Sequence, residues 1–485
     1  PRDVGKGTMR PDITDIVRGA DIGGWRPVEI EYGDRTIEVL LPPGAKTLGM
    51  QEFAPLARPG DEIRRSLEDP VGTPPLAKII EAKGKPAQDL SVCITTSDIT
   101  RPVPYKGEGG ILDPLLGILH GCGVRRENVT LLVGTGTHRP STAQEKVAMF
   151  GERVAAEFRI IDHVCDDESM LTYIGRTRSG TEIHINRHFI EADVKIATGL
   201  VESHFMAGVS AGRKAICPAL VSRKTIERFH SAQFLSSPNA TNLVLQGNPC
   251  HEESLEIARK TGVDFIVNTV LNRRLELIGV FSGDLEESHD KAVELVRRVV
   301  AIPVDREYDI VLTHGGYVGI NHYQIAKAAC NALPIVRENG FLVLAACERD
   351  QDPIGPATYK TLLQLLKLQG PDGYLAALLN PAWKFTRDQW EPQMWGKVIG
   401  KIGEEGILYC TAFIPEQEQR MIPGTPGWDF LPPRVFPRDG EATQAMVRNA
   451  LVYACHHPKW GNRKPSVAFM VEGPYAIPCV QGNPS

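Results

Sequence analysis

One stretch of the sequence, residues 201–231, concentrates side chains that can do chemistry. It reads VESHFMAGVSAGRKAICPALVSRKTIERFHS and contains His204, Lys214 and His230, at intervals of ten and sixteen residues. Imidazole suits proton transfer because its ordinary pKa lies near 6.5. A lysine amine can form a covalent bond to a bound group. On its own, His230 is equally well interpreted as an exposed residue at a helix end.

The loop between His204 and Lys214 is rich in Gly, Ala and Ser and includes Gly208 and Ser210. These residues allow a phosphate to approach the start of the helix predicted for 216–230, where the helix dipole favours an anion. A tight entry into the helix is the alternative interpretation. A lysine at a helix start opposes the dipole, and an anion or a covalent partner would remove that conflict.

Reactive side chains also follow the other strands predicted before this stretch. The sequence predicts strands at 90–95, 129–133 and 192–199. Ligands bind at the carboxyl ends of strands in open parallel sheets. The loops after these three strands contain, in order, Asp98, Thr100 and Arg101; His138 and Arg139; and His204 with Lys214. Alone, Asp98 could cap a turn and His138 could be a hydrogen-bonded structural histidine. The repetition at three strand ends favours a site.

A second set of polar side chains lies in the segment NHYQIAKAA, which contains Tyr323, Gln324 and Lys327. Gln324 and Lys327 are three residues apart, so they share one face of the helix predicted for 321–332. An amide and an amine on one face could hold a carboxylate, although a solvated helix face is the simpler interpretation. Trp390 belongs to a tryptophan-rich segment that could be core or could line a cleft.

Alternation of strands with helices predicts an α/β protein with two α/β domains, mostly parallel sheets and an active site in the cleft between them. The predicted N-terminal domain covers 1–304 and is joined by the C-terminal segment 458–485. The predicted second domain covers 305–457. The apolar run 466–471 is interpreted as a strand that returns to the sheet of the first domain.

Composition argues against several classes of function. The chain has 485 residues and a net charge of -5, without a basic stripe, which disfavours nucleic-acid binding. No apolar run is long enough for a membrane span, and the first residues do not resemble a secretory signal. The ten cysteines form no CxxC pair. We therefore expect a cytoplasmic protein with free thiols. The absence of GxSxG, HExxH and GxGxxG disfavours serine hydrolases, zinc hydrolases and dinucleotide-binding dehydrogenases.

Five motifs together resemble the lactate racemase family, the nickel-pincer-dependent racemases and epimerases of 2-hydroxyacids. They are SDITRP at 97–102, GTGTHRP at 134–140, SHFMAGVSAGRKAI at 203–216, His230 and YQIAK at 323–327. The order and spacing of the motifs are similar to those of the family, and the resemblance extends over most of residues 90–400.

The resemblance implies a cofactor and a set of roles. The cofactor is a nickel pincer nucleotide (pyridinium-3,5-bisthiocarboxylic acid mononucleotide nickel), made by upstream cofactor-synthesis enzymes and covalently attached to Lys214, with His230 as the nickel ligand. His138 and His204 would be the acid/base residues. The implied cofactor-binding residues are Lys214, Asp98, Thr100, Arg101, Gly208 and Ser210. The implied substrate-binding residues are Arg101, Tyr323, Gln324, Lys327 and Trp390.

The resemblance also implies the reaction. The enzyme would invert C2 of a small-molecule 2-hydroxyacid by hydride transfer to and from the cofactor, through a 2-ketoacid, and two stereochemical outcomes need two catalytic histidines. The alternatives are an NAD-type dehydrogenase and a non-catalytic protein that binds a hydroxyacid or nucleotide. We expect no nucleic-acid or membrane partner, and a homo-oligomer is compatible with the sequence.

Overall fold

The computed structural model describes residues 12–431 and 439–481 and divides the chain into two compact units. One unit is Gln51–Val299. The other combines the described residues of 1–50 with those of 300–485, and is called the terminal unit below because it contains both ends of the described chain.

The Gln51–Val299 unit is built on a six-stranded sheet. Its strands, in spatial order, are Leu277–Gly283, Phe265–Leu271, Val194–Leu200, Val92–Ser97, Val129–Gly134 and Arg159–Asp162. All neighbours are parallel except the first pair. Five of the six residues of Val92–Ser97 are buried in succession, as expected for a parallel strand covered on both faces.

Helices and short hairpins complete this unit. The α-helices are Pro59–Glu68, Leu76–Glu81, Leu112–Gly121, Ala143–Phe150, Glu152–Glu157, Arg187–Ile190, Arg223–Phe229, Ala232–Leu235, Pro249–Thr261 and Glu287–Val300. The 3-10 helices are Ala87–Asp89, Arg126–Asn128, Glu168–Met170 and Gly212–Ala215. The hairpins pair Leu171–Arg176 with Glu182–Asn186, and Ser203–His204 with Gly208–Val209.

The terminal unit contains a second six-stranded sheet, and all its neighbouring strands are parallel. Their spatial order is Thr425–Pro426, Ile407–Cys410, Val336–Ala345, Tyr308–His314, Val467–Met470 and Lys46–Leu48. An antiparallel hairpin pairs Arg26–Tyr32 with Arg35–Leu41, and a parallel pair joins Ala301–Val304 to Ile477–Val480. All seven residues of Tyr308–His314 are buried.

Helices cover this second sheet. The α-helices are Ile13–Gly19, His322–Ala332, Ala357–Leu379, Trp390–Ile402, Glu416–Gln419 and Asp439–Cys455, and the 3-10 helices are Glu404–Gly406, Gly427–Phe430 and Pro458–Trp460. The helix Ala357–Leu379 is interrupted at Gly370, which has a φ of 69° and is followed by Pro371. Because proline lacks a backbone N–H, the helical hydrogen bonding breaks there. The predicted α/β class with two units and mostly parallel sheets is confirmed.

The units differ from the predicted domains 1–304 with 458–485, and 305–457. The hairpin Arg26–Leu41 belongs to the terminal unit because its apolar residues Ile30, Tyr32 and Val39 pack in a core with Ile310. The segment after 458 also belongs there. Its strand Val467–Met470 pairs with Tyr308–His314, so the predicted return to the sheet of the first domain is wrong. Residues 1–11 and 482–485, which that prediction included, lie outside the described residues.

The long helix predicted for 216–230 is shorter in the structure. The helix is Arg223–Phe229, and Ser222 caps it by accepting a hydrogen bond from Thr225 N. Pro218 supplies no N–H to an earlier helical turn, and Val221 instead forms an isolated bridge with Ile185. The residues before the helix therefore belong to the loop that carries Lys214. Within residues 12–431 and 439–481, no helix is both long and apolar enough to cross a membrane.

Asp309 explains why the C-terminal segment stays with the terminal unit. This fully buried carboxylate accepts hydrogen bonds from Arg337, from Arg463 and from Ser466, which immediately precedes the C-terminal strand. Burial alone would raise the pKa of Asp309, but the bonds from Arg463 and Ser466 lower it to about 2. Because the folded pKa lies below the unfolded value, the carboxylate stabilises the fold above about pH 4 and loses this effect as the pH falls toward 2.

We expect Asp309→Asn to destabilise the terminal unit by about 2 kcal/mol at neutral pH, and by progressively less toward pH 2. Hydrogen exchange of the amides of Tyr308–His314 measures this, with variant and wild type compared at each pH. Asp305→Asn changes an exposed acid and is the matched control, expected to be neutral. Equal exchange in Asp309→Asn and wild type at pH 7 would contradict the assigned role.

Candidate active site

Three adjacent parallel strands end at one edge of the sheet in the Gln51–Val299 unit. They are Val194–Leu200, Val92–Ser97 and Val129–Gly134, in that spatial order. The loops that follow them contain His204, Asp98 and His138. The sequence predicted strands followed by these loops, and the structure confirms that the strands are neighbours.

Asp98 and His138 are in direct contact. Their side chains, from different loops, approach to 2.6 Å between Oδ2 of Asp98 and Nδ1 of His138. Asp98 is 7% exposed, whereas the His138 ring is exposed. Burial would raise the pKa of Asp98, but hydrogen bonds from His138 and from both the amide and the hydroxyl of Thr100 keep it below its ordinary value. An ionised carboxylate thus orients the His138 ring.

Arg101 has a carboxylate partner that sequence reasoning did not identify. Its Nε lies 3.2 Å from Oε1 of Glu202, which follows the strand Val194–Leu200. Both side chains are partly exposed, so the pair is solvent-screened and contributes little stability. Its effect is local, because Glu202 offsets part of the positive charge that Arg101 adds beside Lys214. Adjacent strand ends were the available signal for this pair.

The loop that contains His204 is held in a defined conformation. Ser203–His204 pairs with Gly208–Val209, and Gly208 has a φ of 78°. A Cβ at Gly208 would lie 2.2 Å from the carbonyl oxygen of Val244, so a larger residue does not fit. Ser210 is 6% exposed, and its hydroxyl donates to Leu200 O and accepts from Glu202 N. Gly208 and Ser210 thus shape the loop, and their contribution to cofactor binding stays a prediction.

Lys214 lies in the 3-10 helix Gly212–Ala215, next to the buried Arg213. Arg213 is 1% exposed, and its Nη2 donates to Ala207 O at 2.7 Å. Burial lowers the pKa of Lys214 well below its ordinary value, and the positive charges of Arg101 and Arg213 lower it further. The amine is therefore held toward its neutral, nucleophilic form.

His230 lies near Lys214 and has a defined tautomer. Its Nδ1 is 3.1 Å from Ile226 O, and because a carbonyl can only accept, Nδ1 carries the proton and Nε2 the lone pair. The Lys214 Nζ lies 5.9 Å from the centroid of the Phe229 ring, and the centroids of the Phe229 and His230 rings are 4.7 Å apart. Burial is the main cause that lowers the pKa of His230, to about 3. His230 thus stays a neutral imidazole, the form that binds metals.

The predicted substrate-binding residues of the terminal unit lie on two neighbouring helices. Tyr323, Gln324 and Lys327 are half-buried on His322–Ala332, whose adjacent positions Ile325 and Ala326 are fully buried. The predicted helix and the shared face are confirmed. Trp390 starts the helix Trp390–Ile402 and is 7% exposed, and its Nε1 donates to the Tyr323 hydroxyl at 3.0 Å. The structure therefore brings Tyr323 and Trp390 together.

Glu391 is an acid in this region that sequence reasoning missed. It is 1% exposed, and its Oε1 has no hydrogen-bond partner within the described residues. Burial raises the pKa of Glu391 to about 8, although the charge of Lys327 opposes this shift. Burial therefore holds the Glu391 carboxyl group toward its protonated form, and the charge of Lys327 counteracts this. Its position directly after Trp390 was the signal in the sequence.

The chain is similar to known lactate racemases in sequence and in structure. A family model described as the lactate racemase N-terminal domain matches residues 32–242. A lactate racemase from Lactiplantibacillus plantarum is 34% identical over 342 residues, which cover 70% of this chain and 77% of that protein. A lactate racemase from Thermoanaerobacterium thermosaccharolyticum is 32% identical over 342 residues, which again cover 70% of this chain and 77% of that protein. The structure of the lactate racemase apoprotein from the latter organism matches with a TM-score of 0.78 and 26% identity, covering 93% of this chain and all of that one.

The similarity to these relatives shows that the chain is an α/β enzyme of the isomerase class, a racemase. The chain belongs to the lactate racemase family. A solved protein from Thermotoga maritima, 18% identical with a TM-score of 0.58 over 89% of this chain, shares the fold.

The environment of Lys214 predicts unusual amine reactivity. We expect Lys214 in the cofactor-free protein to react with an acylating reagent with a pH midpoint well below the ordinary value near 10.4, because burial and two nearby arginines disfavour its charged form. Arg101→Gln removes one of these charges and should raise the midpoint. Quantitative mass spectrometry of the labelled peptide, at a series of pH values, measures it.

Arg139→Gln is the matched control for the labelling experiment. Arg139 is exposed and pairs with Glu145, so its loss should leave the midpoint for Lys214 unchanged. Labelling of Lys214 only at the high pH that exposed lysines such as Lys291 require would contradict the described environment.

Proposed function

We propose that this racemase inverts C2 of a 2-hydroxyacid with a nickel pincer nucleotide attached to Lys214. The observation that carries the proposal is that Lys214 and His230 both approach the Phe229 ring, in a buried setting that disfavours their charged forms, in a chain of the lactate racemase family that also has the Asp98–His138 contact. When bound, the cofactor would supply a hydride acceptor, which allows inversion through a 2-ketoacid instead of a carbanion.

The residues at the site fit such a cofactor. His230 presents the lone pair of Nε2, the donor that a nickel ion takes from a histidine, and Ile226 O fixes its tautomer. A neutral Lys214 amine can form a bond to a thiocarboxyl carbon, which a lysine in its charged form cannot. In the described parts of the chain, no three His, Cys, Asp or Glu side chains form a cluster that could hold a metal by themselves. His230 is therefore proposed as a single protein ligand.

Each of the other residues has a task in this proposal. His138 and His204 are proposed as the acid/base residues that take a proton from the substrate hydroxyl group and return it. Asp98, Thr100 and Arg101 would contact the cofactor from a loop that the bonds of Thr100 to Asp98 order, and Gly208 and Ser210 shape the loop that leads to Lys214.

The substrate carboxylate is proposed to bind residues of the terminal unit. Lys327 supplies positive charge, Gln324 an amide donor, and Tyr323 and Trp390 a wall whose hydroxyl and indole are already hydrogen-bonded to each other. Arg101 is proposed as a further contact of the substrate. The members of this family named above are lactate racemases, and the proposal for this chain is the broader class of 2-hydroxyacids.

The covalent attachment is tested by mass spectrometry of the denatured protein, produced together with cofactor-synthesis enzymes. We expect a mass addition on the Lys214 peptide, lost in Lys214→Ala and retained in the control Lys224→Ala, which changes an exposed lysine. An active wild-type protein with unmodified Lys214 would overturn the covalent role.

The reaction is tested by chiral analysis of D- and L-hydroxyacids incubated with the loaded protein. We expect interconversion without accumulation of ketoacid, and a loss of about 10²- to 10⁴-fold in His138→Ala with the cofactor still attached. His230→Ala should lose nickel, measured by metal analysis, whereas the exposed-site control His120→Ala should keep it. Net ketoacid formation with added NAD would favour a dehydrogenase, and cofactor binding without turnover would favour a binding protein.

A further inference from the structure

The segment 217–222, called the connecting segment below, joins the loop of Lys214 to the helix that ends next to His230. It is tied to its neighbours by three backbone hydrogen bonds: from Gly136 N to Ala219 O at 3.1 Å, from Asn186 N to Leu220 O at 2.9 Å, and from Ser222 N to His184 O at 2.8 Å. The first of these bonds comes from the loop that contains His138, and the other two involve the hairpin strand Glu182–Asn186. The connecting segment is therefore in direct contact with two other elements of the unit.

The ring of His163 binds both the connecting segment and the hairpin. It is fully buried, and its Nε2 lies 3.0 Å from Val221 O; because a carbonyl can only accept, Nε2 carries the proton. Its Nδ1 lies 3.1 Å from Nδ2 of Asn186, whose Oδ1 accepts from His188 N, so the amide donates and Nδ1 accepts. Burial lowers the pKa of His163 to about 4, which keeps the ring neutral at neutral pH.

The backbone of His163 holds the loop that contains His138. Its N–H donates to Val133 O at 2.9 Å, at the end of the neighbouring strand. Its carbonyl accepts a hydrogen bond from the hydroxyl of Thr135, which is 2% exposed. The carbonyl of Thr135 accepts in turn from the N–H of His138 at 2.9 Å. Two hydrogen bonds through Thr135 therefore connect His163 to His138.

The position of His163 requires a donor and an acceptor on one rigid ring. A phenyl ring of similar size would leave Val221 O and the Asn186 amide without these bonds in a site closed to water, which is unfavourable. Val221 also directly precedes Ser222, the cap of the helix Arg223–Phe229. The bond from His163 to Val221 O therefore fixes the chain where that helix starts.

We propose that His163 is a positioning residue, which fixes the loop that contains His138 relative to the connecting segment between Lys214 and His230. Its consequence for turnover rests on the proposed function. The fully buried ring does not reach a substrate, so it acts through Val221 O and Thr135. Lys214 and His230 lie on the same side of this link. Its loss should therefore misplace His138 and lower the rate, while the cofactor and nickel stay bound.

Two substitutions of His163 separate the bonds of its ring. His163→Gln places an amide N–H near the position of Nε2 and keeps a donor for Val221 O, whereas His163→Asn places its amide near Nδ1 and loses that donor. In loaded His163→Asn we expect kcat to fall about 10- to 10²-fold, with KM, Lys214 modification and nickel content within about twofold of the wild type. His163→Gln should stay within about threefold in kcat. Racemisation kinetics, mass spectrometry and metal analysis measure these quantities.

Val154→Ala, at a buried position of the same unit outside this network, controls for lowered stability and should leave kcat unchanged. Thr135→Val removes the hydroxyl that binds His163 O and should also lower kcat, so the test does not depend on the folding of His163→Asn. Wild-type kcat in Thr135→Val, equal losses in His163→Gln and His163→Asn, or a loss of cofactor in proportion to the loss of rate would overturn the positioning role.

Hydrogen exchange in the cofactor-free protein tests the same link without turnover. The amide of Gly136, which donates to Ala219 O, should exchange about tenfold faster in His163→Asn and in Thr135→Val than in the wild type. The amide of Leu131, in the middle of its strand, should be unchanged. Equal exchange of Gly136 in all three proteins would overturn the link. A loaded wild-type protein that racemises no hydroxyacid would overturn the proposed function instead, so the two failures are distinguishable.

Discussion

Buried positive charge is the constraint on which the site depends. Arg213 is removed from water without a carboxylate partner within the described residues, and burial lowers its pKa to about 9. Burial, and then the charges of Arg101 and Arg213, make a charge at Lys214 unfavourable, and burial likewise disfavours protonation of His230. Two groups that are ordinarily cationic or half-protonated at neutral pH are thereby held toward their neutral forms. At Lys214 the low dielectric of the interior and the nearby positive charges both lower the pKa of the amine, so the two contributions add.

The placement of the candidate loops could be predicted because strand-end loops have a local signature. Apolar runs such as Val129–Gly134 end at Gly, Thr and Pro, and parallel sheets place such ends on one edge. The closeness of the loops that contain Asp98 and His138 therefore followed from topology once the strands were assigned, whereas the contact between the two side chains was not predicted. The helix containing Gln324 and Lys327 was also readable, because Asn321 caps it and its apolar residues repeat with helical spacing.

The remaining features depend on tertiary contacts that no local pattern contains. The run 466–471 is apolar enough for either sheet, and the bonds of Arg463 and Ser466 to Asp309 decide which one it joins. Asn248 caps the helix Pro249–Thr261 and also donates a hydrogen bond to Met206 O, 42 residues away in the sequence. Residue types therefore indicate which chemistry is available, and packing decides which protonation state is used.

The strand order of the terminal unit has a consequence for biosynthesis. Lys46–Leu48 pairs only with Val467–Met470 in its sheet, whereas all strands of the other unit lie between these two segments in the chain. During translation, Gln51–Val299 can complete its core before the strands that pack against the earlier hairpin Arg26–Leu41 have been made. The apolar face of that hairpin, including Tyr32 and Leu41, would meanwhile be open to chaperones or to other nascent chains. Translation order thus leaves the apolar face of this hairpin uncovered until the later strands have been made.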